Sequence, residues 1–135
     1  MYGINTSNVT KMGSMFRDCS KLKTINLTGI DTRNVTKVSY MFSGCTSLVE
    51  LDLASFNTAN INDIIDMFSN CSNLKTIYVS QTWNINDSLS PVQIFYGNTS
   101  LVGGNGTVFD STKTNQSMAV IDTPSTPGYL TLKTS

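Results

Sequence analysis

The fold of this chain is decided by the stretch Met41-Phe42-Ser43-Gly44-Cys45-Thr46-Ser47-Leu48, because its pattern Met-Phe-x-x-Cys-x-x-Leu recurs at a fixed spacing. The pattern begins 26 residues earlier at Met15 and 26 residues later at Met67, and a degraded copy follows after 27 more residues at Ile94. Recurrence at a period of roughly 20–50 residues is typical of proteins built from stacked repeats. The 135 residues therefore predict a repeat array about as large as one domain.

Each copy ends in a short alternation of apolar and polar residues. The alternation occurs at Ile25-x-Leu27, Leu51-x-Leu53 and Ile77-x-Val79. This period of two predicts one short β-strand per unit. In a stack of units these strands would pair in parallel, about 4.8 Å apart.

The residues around the Met-Phe pair have a different spacing. Val35, Val38, Met41, Phe42 and Cys45 are three, three, one and three positions apart, which suits a helical turn with one buried face. One strand and one helical turn cannot bury their own apolar faces, but stacked copies can. We therefore predict an α/β solenoid similar to a leucine-rich repeat, with one short parallel strand and one short helix per unit. The phenylalanines of the four copies would form a ladder in its core.

The predicted domain organisation follows from the spacing of the copies. We expect a four-repeat solenoid over residues 1–106 and a β-rich C-terminal cap over residues 107–135. The four repeats would lie at about residues 5–30, 31–56, 57–83 and 84–109. A cap protects the last open edge of a repeat array. Gly3-Ile4 instead matches Gly29-Ile30, so we expect an uncapped N-terminal end that meets further repeats or a neighbouring chain.

Neutral polar residues dominate the composition, with 18 Thr, 17 Ser and 14 Asn. Many of them follow the strands, as in Asp31-Thr32-Arg33-Asn34. Short polar side chains hold turns by bonding nearby backbone groups, and stacked asparagines can also bond one another as a ladder. The composition is therefore explained without a ligand.

Charge and residue content exclude several classes of protein. The nine basic and nine acidic residues balance, whereas nucleic-acid-binding domains carry a basic excess. The chain has no His, which removes Ser-His-Asp, Cys-His and His-metal chemistry. No apolar run approaches the ~18 residues of a membrane span, and no signal peptide is recognisable. Residues 1–37 have a basic excess and residues 38–135 an acidic excess. This asymmetry is interpreted either as ordinary variation of charge over the surface or as a charge dipole that helps head-to-tail docking.

Cys19, Cys45 and Cys71 are the first candidates for chemistry. Neighbouring repeats would bring their Cα atoms within disulfide range, but three thiols cannot all pair. A zinc site needs four ligands with close pairs such as Cys-x-x-Cys, which the sequence lacks. We interpret the cysteines as small apolar side chains of the core.

Two further candidates are weaker. Gly103-Gly104-Asn105-Gly106 lacks the Lys-Ser/Thr that completes a phosphate loop, so we interpret it as a turn. Asp63 and Asp66 could share one helical face as an acid–base pair, but neither recurs in the other copies. We interpret them as part of a solvated face. We expect no catalytic, cofactor-binding or metal-binding residues.

The exposed face of the predicted sheet is the remaining functional surface. Solenoid sheets present extended binding surfaces, and Tyr is a frequent anchor residue in interfaces. If Leu48, Leu51 and Leu53 point inward, then Val49, Glu50 and Asp52 point outward, together with their equivalents in the neighbouring units. The candidate partner-binding residues are Lys23, Asn26, Glu50, Asp52, Lys75 and Tyr78. The alternative interpretation is an ordinary solvated sheet.

The repeat unit resembles that of the BspA-like leucine-rich-repeat surface proteins, which are also found as mycoplasma surface repeats. The stretch from Met41 to Leu53, followed by Ser55-Phe56-Asn57-Thr58-Ala59-Asn60-Ile61, is similar to the unit of that family over its whole length. The resemblance implies a solenoid, a bacterial or mobile-element origin, surface exposure and adhesion to host proteins. It implies no enzymatic activity.

These observations lead to two functional hypotheses. The first is a non-enzymatic, extracellular or surface-displayed adhesion module that binds a protein or glycoprotein through its sheet face. The alternative is a structural component of a larger assembly, such as a fibre or phage-like particle, that docks through its uncapped N-terminal end. We expect no nucleic acid partner, no membrane span and no cofactor.

Overall fold

A computed structural model of the chain describes residues 5–85 and 91–134. Three short strands form one sheet: β1 at Glu50–Asp52, β2 at Thr76–Val79 and β3 at Leu130–Leu132. The one helical element in the described residues is a 3₁₀ turn at Gln116–Met118. Gly3-Ile4, from which an uncapped N-terminal end was predicted, lies outside the described residues.

The predicted α/β solenoid with a helix in every unit is wrong. No α-helix occurs in the described part of the chain, and the segment predicted as helical is a run of turns. Tyr40 has a φ of 58° and Gly44 a φ of 76°. The equivalent residues of the first and third units also have positive φ angles. A residue in this left-handed region cannot continue a right-handed helix. Two such residues per unit therefore prevent a helical turn from extending.

The backbone of this segment alternates between two kinds of hydrogen bond. Phe42 N donates to Met67 O in the next unit at 2.9 Å, whereas Met41 N donates back to Val38 O at 3.1 Å. The backward bonds close tight turns over three residues, so apolar side chains recur every three positions. That spacing looks helical in the sequence although the segment is a ladder between units.

The strand prediction is confirmed in the second and third units. β1 pairs with β2 in parallel, with Leu51 opposite Ile77. β2 pairs with β3 in parallel, with Ile77 opposite Leu130, so β3 comes from the C-terminal segment and not from the fourth unit. Residues 25–27, where a strand was predicted, form none, because no backbone hydrogen bond joins them to β1.

The predicted phenylalanine ladder is confirmed. Successive rings of the four units lie 5.7, 6.0 and 5.7 Å apart with planes within 10° of parallel. The ladder consists of Phe16, Phe42, Phe68 and Phe95. Tyr129 closes it with an edge-on contact of 5.1 Å to Phe95. Each buried ring contributes about 1.5–3 kcal/mol, and each ring pair adds about 0.5–1.5 kcal/mol.

Polar side chains hold the turns as predicted, but in the described residues the asparagine side chains do not bond one another as a ladder. Asp31 Oδ1 accepts from Arg33 N at 3.1 Å, which holds the turn after the strand position. Between units the side chains bond to backbone: Asn34 Nδ2 donates to Ser7 O at 2.6 Å. The buried Thr32 hydroxyl likewise joins one unit to the next unit's backbone.

The C-terminal segment packs on the last units through single, non-repeated contacts. Trp83 Nε1 donates to Ala119 O at 3.0 Å, and Tyr129 Oη donates to Lys113 O at 2.8 Å. β3 extends the sheet on the far side of β2. Among the residues described, none belongs to a helix long and apolar enough to cross a bilayer.

Candidate functional site

The sheet face, defined as Lys23, Asn26, Glu50, Asp52, Lys75 and Tyr78, is held mainly by β1 and β2. Leu51 and Ile77 point into the core, so their neighbours along each strand point outward. The parallel register places Asp52 directly beside Tyr78. The structure therefore brings the exposed Asp52 and the half-buried Tyr78 together on the outer side of the sheet, as the spacing of 26 residues predicted.

Two members of the sheet face also shape the chain. Asn26 Oδ1 accepts from Thr28 N at 3.0 Å, and Asp52 Oδ1 accepts from Ala54 N at 2.9 Å. These Asx turns follow the strand position in the first and second units. One oxygen of Asp52 is therefore committed to the fold, whereas the other is available for contacts across the face.

Lys133 completes the sheet face and was missed by the sequence analysis. Its Nζ lies 3.3 Å from Asp52 Oδ2 and 4.7 Å from the centre of the Tyr78 ring. The sequence marks Lys133 as the residue after the strand-like stretch Tyr129–Leu132, but it does not indicate that this strand pairs with β2. The side chains of Lys133 and Asp52 remain 38% and 49% exposed, so this ion pair is open to a competing partner.

The two lysines of the original set lie at equivalent positions in their units. Val49 occupies the same position in the second unit as Lys23 in the first and Lys75 in the third. Lys75 N donates to Val49 O at 2.8 Å, so these two residues are neighbours. Val49 is exposed, which adds an apolar spot between the two cations. Glu50 is exposed beside Val49. The face thus mixes both charge signs with Val49 and Tyr78.

A shallow depression of ≈ 420 Å³ adjoins this face where the strand positions end. Asn26 and Asp52 line it together with backbone of the following turns. Its open shape suits a side chain of a protein partner better than a small molecule, which needs an enclosed pocket.

The cysteines form a hydrogen-bonded ladder. Cys45 Sγ donates to Phe16 O at 3.1 Å, and Cys71 Sγ donates to Phe42 O at 3.0 Å. The neighbouring Cys45 thiol and burial raise the pKa of Cys71, so its thiol stays protonated. All three cysteines are free thiols. Cys45 and Cys71 are buried in the core, as predicted, whereas Cys19 is only partly buried.

The fourth unit carries Asn98 where the other units carry Cys. Asn98 Nδ2 donates to Phe68 O at 2.8 Å, which is the bond that a thiol would make at this position. Asn98 Oδ1 is buried and has no partner. The substitution therefore keeps the bond between units and leaves one acceptor unsatisfied.

The glycine-rich turn is organised around Asp122, which the sequence analysis did not single out. Asp122 is 7% exposed and accepts from Asn105 N at 2.9 Å, from Thr107 N at 3.0 Å and from Gly128 N at 3.2 Å. Burial opposes ionisation, but these bonds and that from the Thr107 hydroxyl hold the pKa of Asp122 below its ordinary value. The backbone N–H groups that could bind a phosphate therefore donate to the Asp122 carboxylate instead.

Asp63 and Asp66 do not form a pair, and the structure gives each a separate partner. Asp63 lies 3.9 Å from Lys37 Nζ, and Asp66 Oδ1 accepts from the Ser69 hydroxyl at 2.7 Å. In the described ranges, no three Cys, Asp or Glu side chains converge in a way that could hold a metal ion.

Comparison with known proteins gives one match. The family model described as "Mycoplasma protein of unknown function, DUF285" matches residues 2–120. No curated protein and no solved structure shows significant similarity to the chain.

Proposed function

The chain belongs to the DUF285 family of Mycoplasma proteins of unknown function, and from this premise we propose that it is a non-enzymatic binding module of the BspA-like type. In this proposal the module is displayed outside the cell or on a cell or particle surface. It recognises a protein or glycoprotein partner through the sheet face.

The observation that carries the proposal is the row formed by Asp52, Tyr78 and Lys133. An anion, a half-buried aromatic ring and a cation lie side by side on the outer side of the sheet. Mixed charge favours a partner with complementary charge, and a Tyr next to charged groups is a common anchor of protein interfaces. The rigid strands keep the ordering cost of binding low.

Partner binding can be tested with extracellular matrix deposited by cultured host cells as the immobilised probe. We expect the double variant Tyr78→Ala with Glu50→Ala to bind at least about tenfold more weakly, as for loss of one anchor residue. The matched control is Tyr96→Ala, which removes an exposed tyrosine from another part of the molecule. Equal binding of the double variant and the control would disprove the role of the sheet face.

Surface display has a separate test. Intact source cells or particles are treated briefly with trypsin, and the released peptides are identified by mass spectrometry. We expect release of peptides between Lys23 and Lys75, which span the sheet face. Detection of the protein only after lysis would contradict the proposed location.

A second candidate function is a structural role in a larger assembly through the N-terminal end. The specific observation is Met15, which is 40% exposed, whereas the equivalent Met41 is 0% exposed. Cross-linking within intact source particles should then yield peptides that join residues 11–23 to a neighbouring protein. Cross-links confined to the chain itself would count against this candidate.

A further inference from the structure

One row of side chains crosses the outer side of the sheet from β1 to β3 and carries a single charge. Asp52 lies opposite Tyr78, and Tyr78 lies opposite Thr131. Of these three side chains only the exposed carboxylate of Asp52 is charged, and its neighbours along the row are a phenol and a hydroxyl. The row by itself therefore favours a cation.

The structure shows one cation seated on this row, the ammonium group of Lys133. Its backbone is fixed beyond the end of β3, where Lys133 N donates to Val79 O at 2.9 Å. From there the side chain crosses β2 and places Nζ 3.3 Å from Asp52 Oδ2 and 4.7 Å from the centre of the Tyr78 ring. An ammonium that touches a carboxylate and also lies over an aromatic ring occupies a cation site.

Lys133 can be displaced from this site by another cation. The side chains of Lys133 and Asp52 both remain partly open to solvent. Ion pairs this exposed contribute little to folding, because water screens the charges and two long side chains must be ordered. An ammonium group from a second protein can therefore replace that of Lys133 while the strands stay as they are.

The carboxylate of Asp52 selects among possible cations, because only one of its oxygens is available. Asp52 Oδ1 accepts from Ala54 N at 2.9 Å and holds the turn after β1. A guanidinium group pairs best with both oxygens of a carboxylate at once, whereas an ammonium group needs only one. The site therefore favours a lysine over an arginine.

The depression beside the row has room for the rest of a lysine side chain. It has a volume of ≈ 420 Å³, and Leu27 and Ala54 line it together with Asp52. A lysine has a four-carbon apolar stem and a charged tip, and it buries the stem on apolar surface while the tip stays at a polar edge. In this depression the stem would contact Leu27 and Ala54 and the tip would reach Asp52.

We propose that Asp52 and Tyr78 form a lysine-binding site, that the partner is a protein with an exposed lysine side chain, and that Lys133 occupies the site until this lysine displaces it. The inference rests on the proposed function, because it names the group that the sheet face recognises in its protein partner.

The site can be tested without the partner by nuclear magnetic resonance of the full chain, titrated with lysine, arginine and norleucine, each blocked as its N-acetyl methylamide. Norleucine has a similar apolar stem without the charge. We expect the lysine probe to shift the signals of Tyr78 and Ala54, the arginine probe to bind more weakly and the norleucine probe to have no effect. Equal binding of the lysine probe and either other probe would overturn the proposal.

Two variants sharpen this titration. Lys133→Gln removes the internal competitor, so the dissociation constant of the lysine probe should fall about two- to fivefold. Asp52→Asn is the matched control, because it keeps the oxygen that accepts from Ala54 N and removes the charge, and it should abolish binding. Unchanged affinity in either variant would overturn the proposal.

The lysine of the partner can be tested with the matrix deposited by cultured host cells, treated either by acetylation or by reductive methylation of its lysines. Acetylation removes the lysine charge and methylation keeps it. We expect at least about tenfold weaker binding of the chain to acetylated matrix, and unchanged binding to methylated matrix.

Failure of the lysine site and failure of the proposed function give different results. Unchanged binding to acetylated matrix, with the double variant Tyr78→Ala and Glu50→Ala still impaired, would overturn the lysine site and leave the role of the sheet face standing. If the double variant bound matrix as well as the control Tyr96→Ala, the proposed function would fail, whereas the titration with the lysine probe would still decide whether the site exists.

Discussion

The second and third units, residues 31–83, and the C-terminal segment, residues 107–134, are held in opposite ways. In the units the main core contacts recur, so that Phe42 stacks on one phenylalanine on each side. In the C-terminal segment each contact occurs once, and several converge on Asp122 and Tyr129. Repetition makes the units visible in the sequence, whereas the single contacts of the C-terminal segment carry no periodic signal.

The largest expected effect in this comparison comes from a central rung of the ladder. Phe42→Ala should lower the free energy of unfolding by ~3–5 kcal/mol, because it removes two ring stacks and leaves a cavity in a buried site. Denaturant unfolding measures the change. Phe109→Ala, at the partly buried edge of the core, is the control and should cost clearly less. Equal stability of Phe42→Ala and the parent protein would contradict the ladder.

A smaller loss is expected in the C-terminal segment at its central carboxylate. Asp122→Ala should destabilise the protein by ~1–3 kcal/mol, because it leaves the amides of Asn105, Thr107 and the buried Gly128 without their acceptor. Calorimetry measures the change, and the exposed Ser111→Ala serves as the control. A neutral result would show that the turn is held by its backbone alone.

The same carboxylate predicts an acid sensitivity. Because the pKa of Asp122 is lowered in the folded state, its stabilisation is complete above the ordinary aspartate pKa of about 4 and is lost as the pH falls below it. Asp122→Asn should therefore flatten the fall in unfolding free energy between about pH 5 and pH 2. A variant with the unchanged pH profile would exclude Asp122 as the cause.

Asn98→Cys sharpens the comparison by restoring the ladder in the fourth unit. It removes the unsatisfied Oδ1 and offers a thiol to Phe68 O, as Cys71 does for Phe42 O. We expect a gain of about 1 kcal/mol in the free energy of unfolding. Asn98→Ser, which is smaller and leaves a void, is the control and should lose stability. A loss in both variants would mean that the amide is the better residue at this position.

The smallest effect is expected where the C-terminal segment reaches the sheet face. Lys133→Ala breaks an exposed ion pair with Asp52 and should change the free energy of unfolding by less than ~1 kcal/mol. The same variant should alter partner binding more than stability, and the comparison of the two measurements separates function from fold. A large loss of stability would show that Lys133 mainly stabilises the fold.

The sequence was informative wherever a contact recurs. The stacked rings, the parallel register of Asp52 with Tyr78 and the turns after the strands all follow from the spacing of equivalent residues. The helix prediction failed because three-residue turns and a helix place apolar side chains alike. Gly44 and its equivalents Asp18 and Asn70 did signal a left-handed position, since Gly, Asp and Asn adopt positive φ most readily.

The rest of the candidate site depended on contacts between distant, unrepeated residues. Lys133 reaches Asp52 because β3 joins the sheet, and this pairing of a terminal segment with β2 has no counterpart in the repeat pattern. Asp122 likewise finds its donors across 15 and 17 residues of irregular chain. Neither contact can be derived from propensity or periodicity.

The alternation of hydrogen bonds in the Met-Phe segment requires a fixed number of residues. Insertion of one residue there would exchange every N–H that points to the neighbouring unit with one that points back along its own turn. The extra residue of the fourth copy lies instead between Val79 and Trp83, in a turn where Ser80 and Thr82 bond each other. Insertion or deletion of a whole unit would therefore preserve the hydrogen-bonding pattern of the remaining units. Insertions or deletions of one residue are tolerated only in turns such as that between Val79 and Trp83.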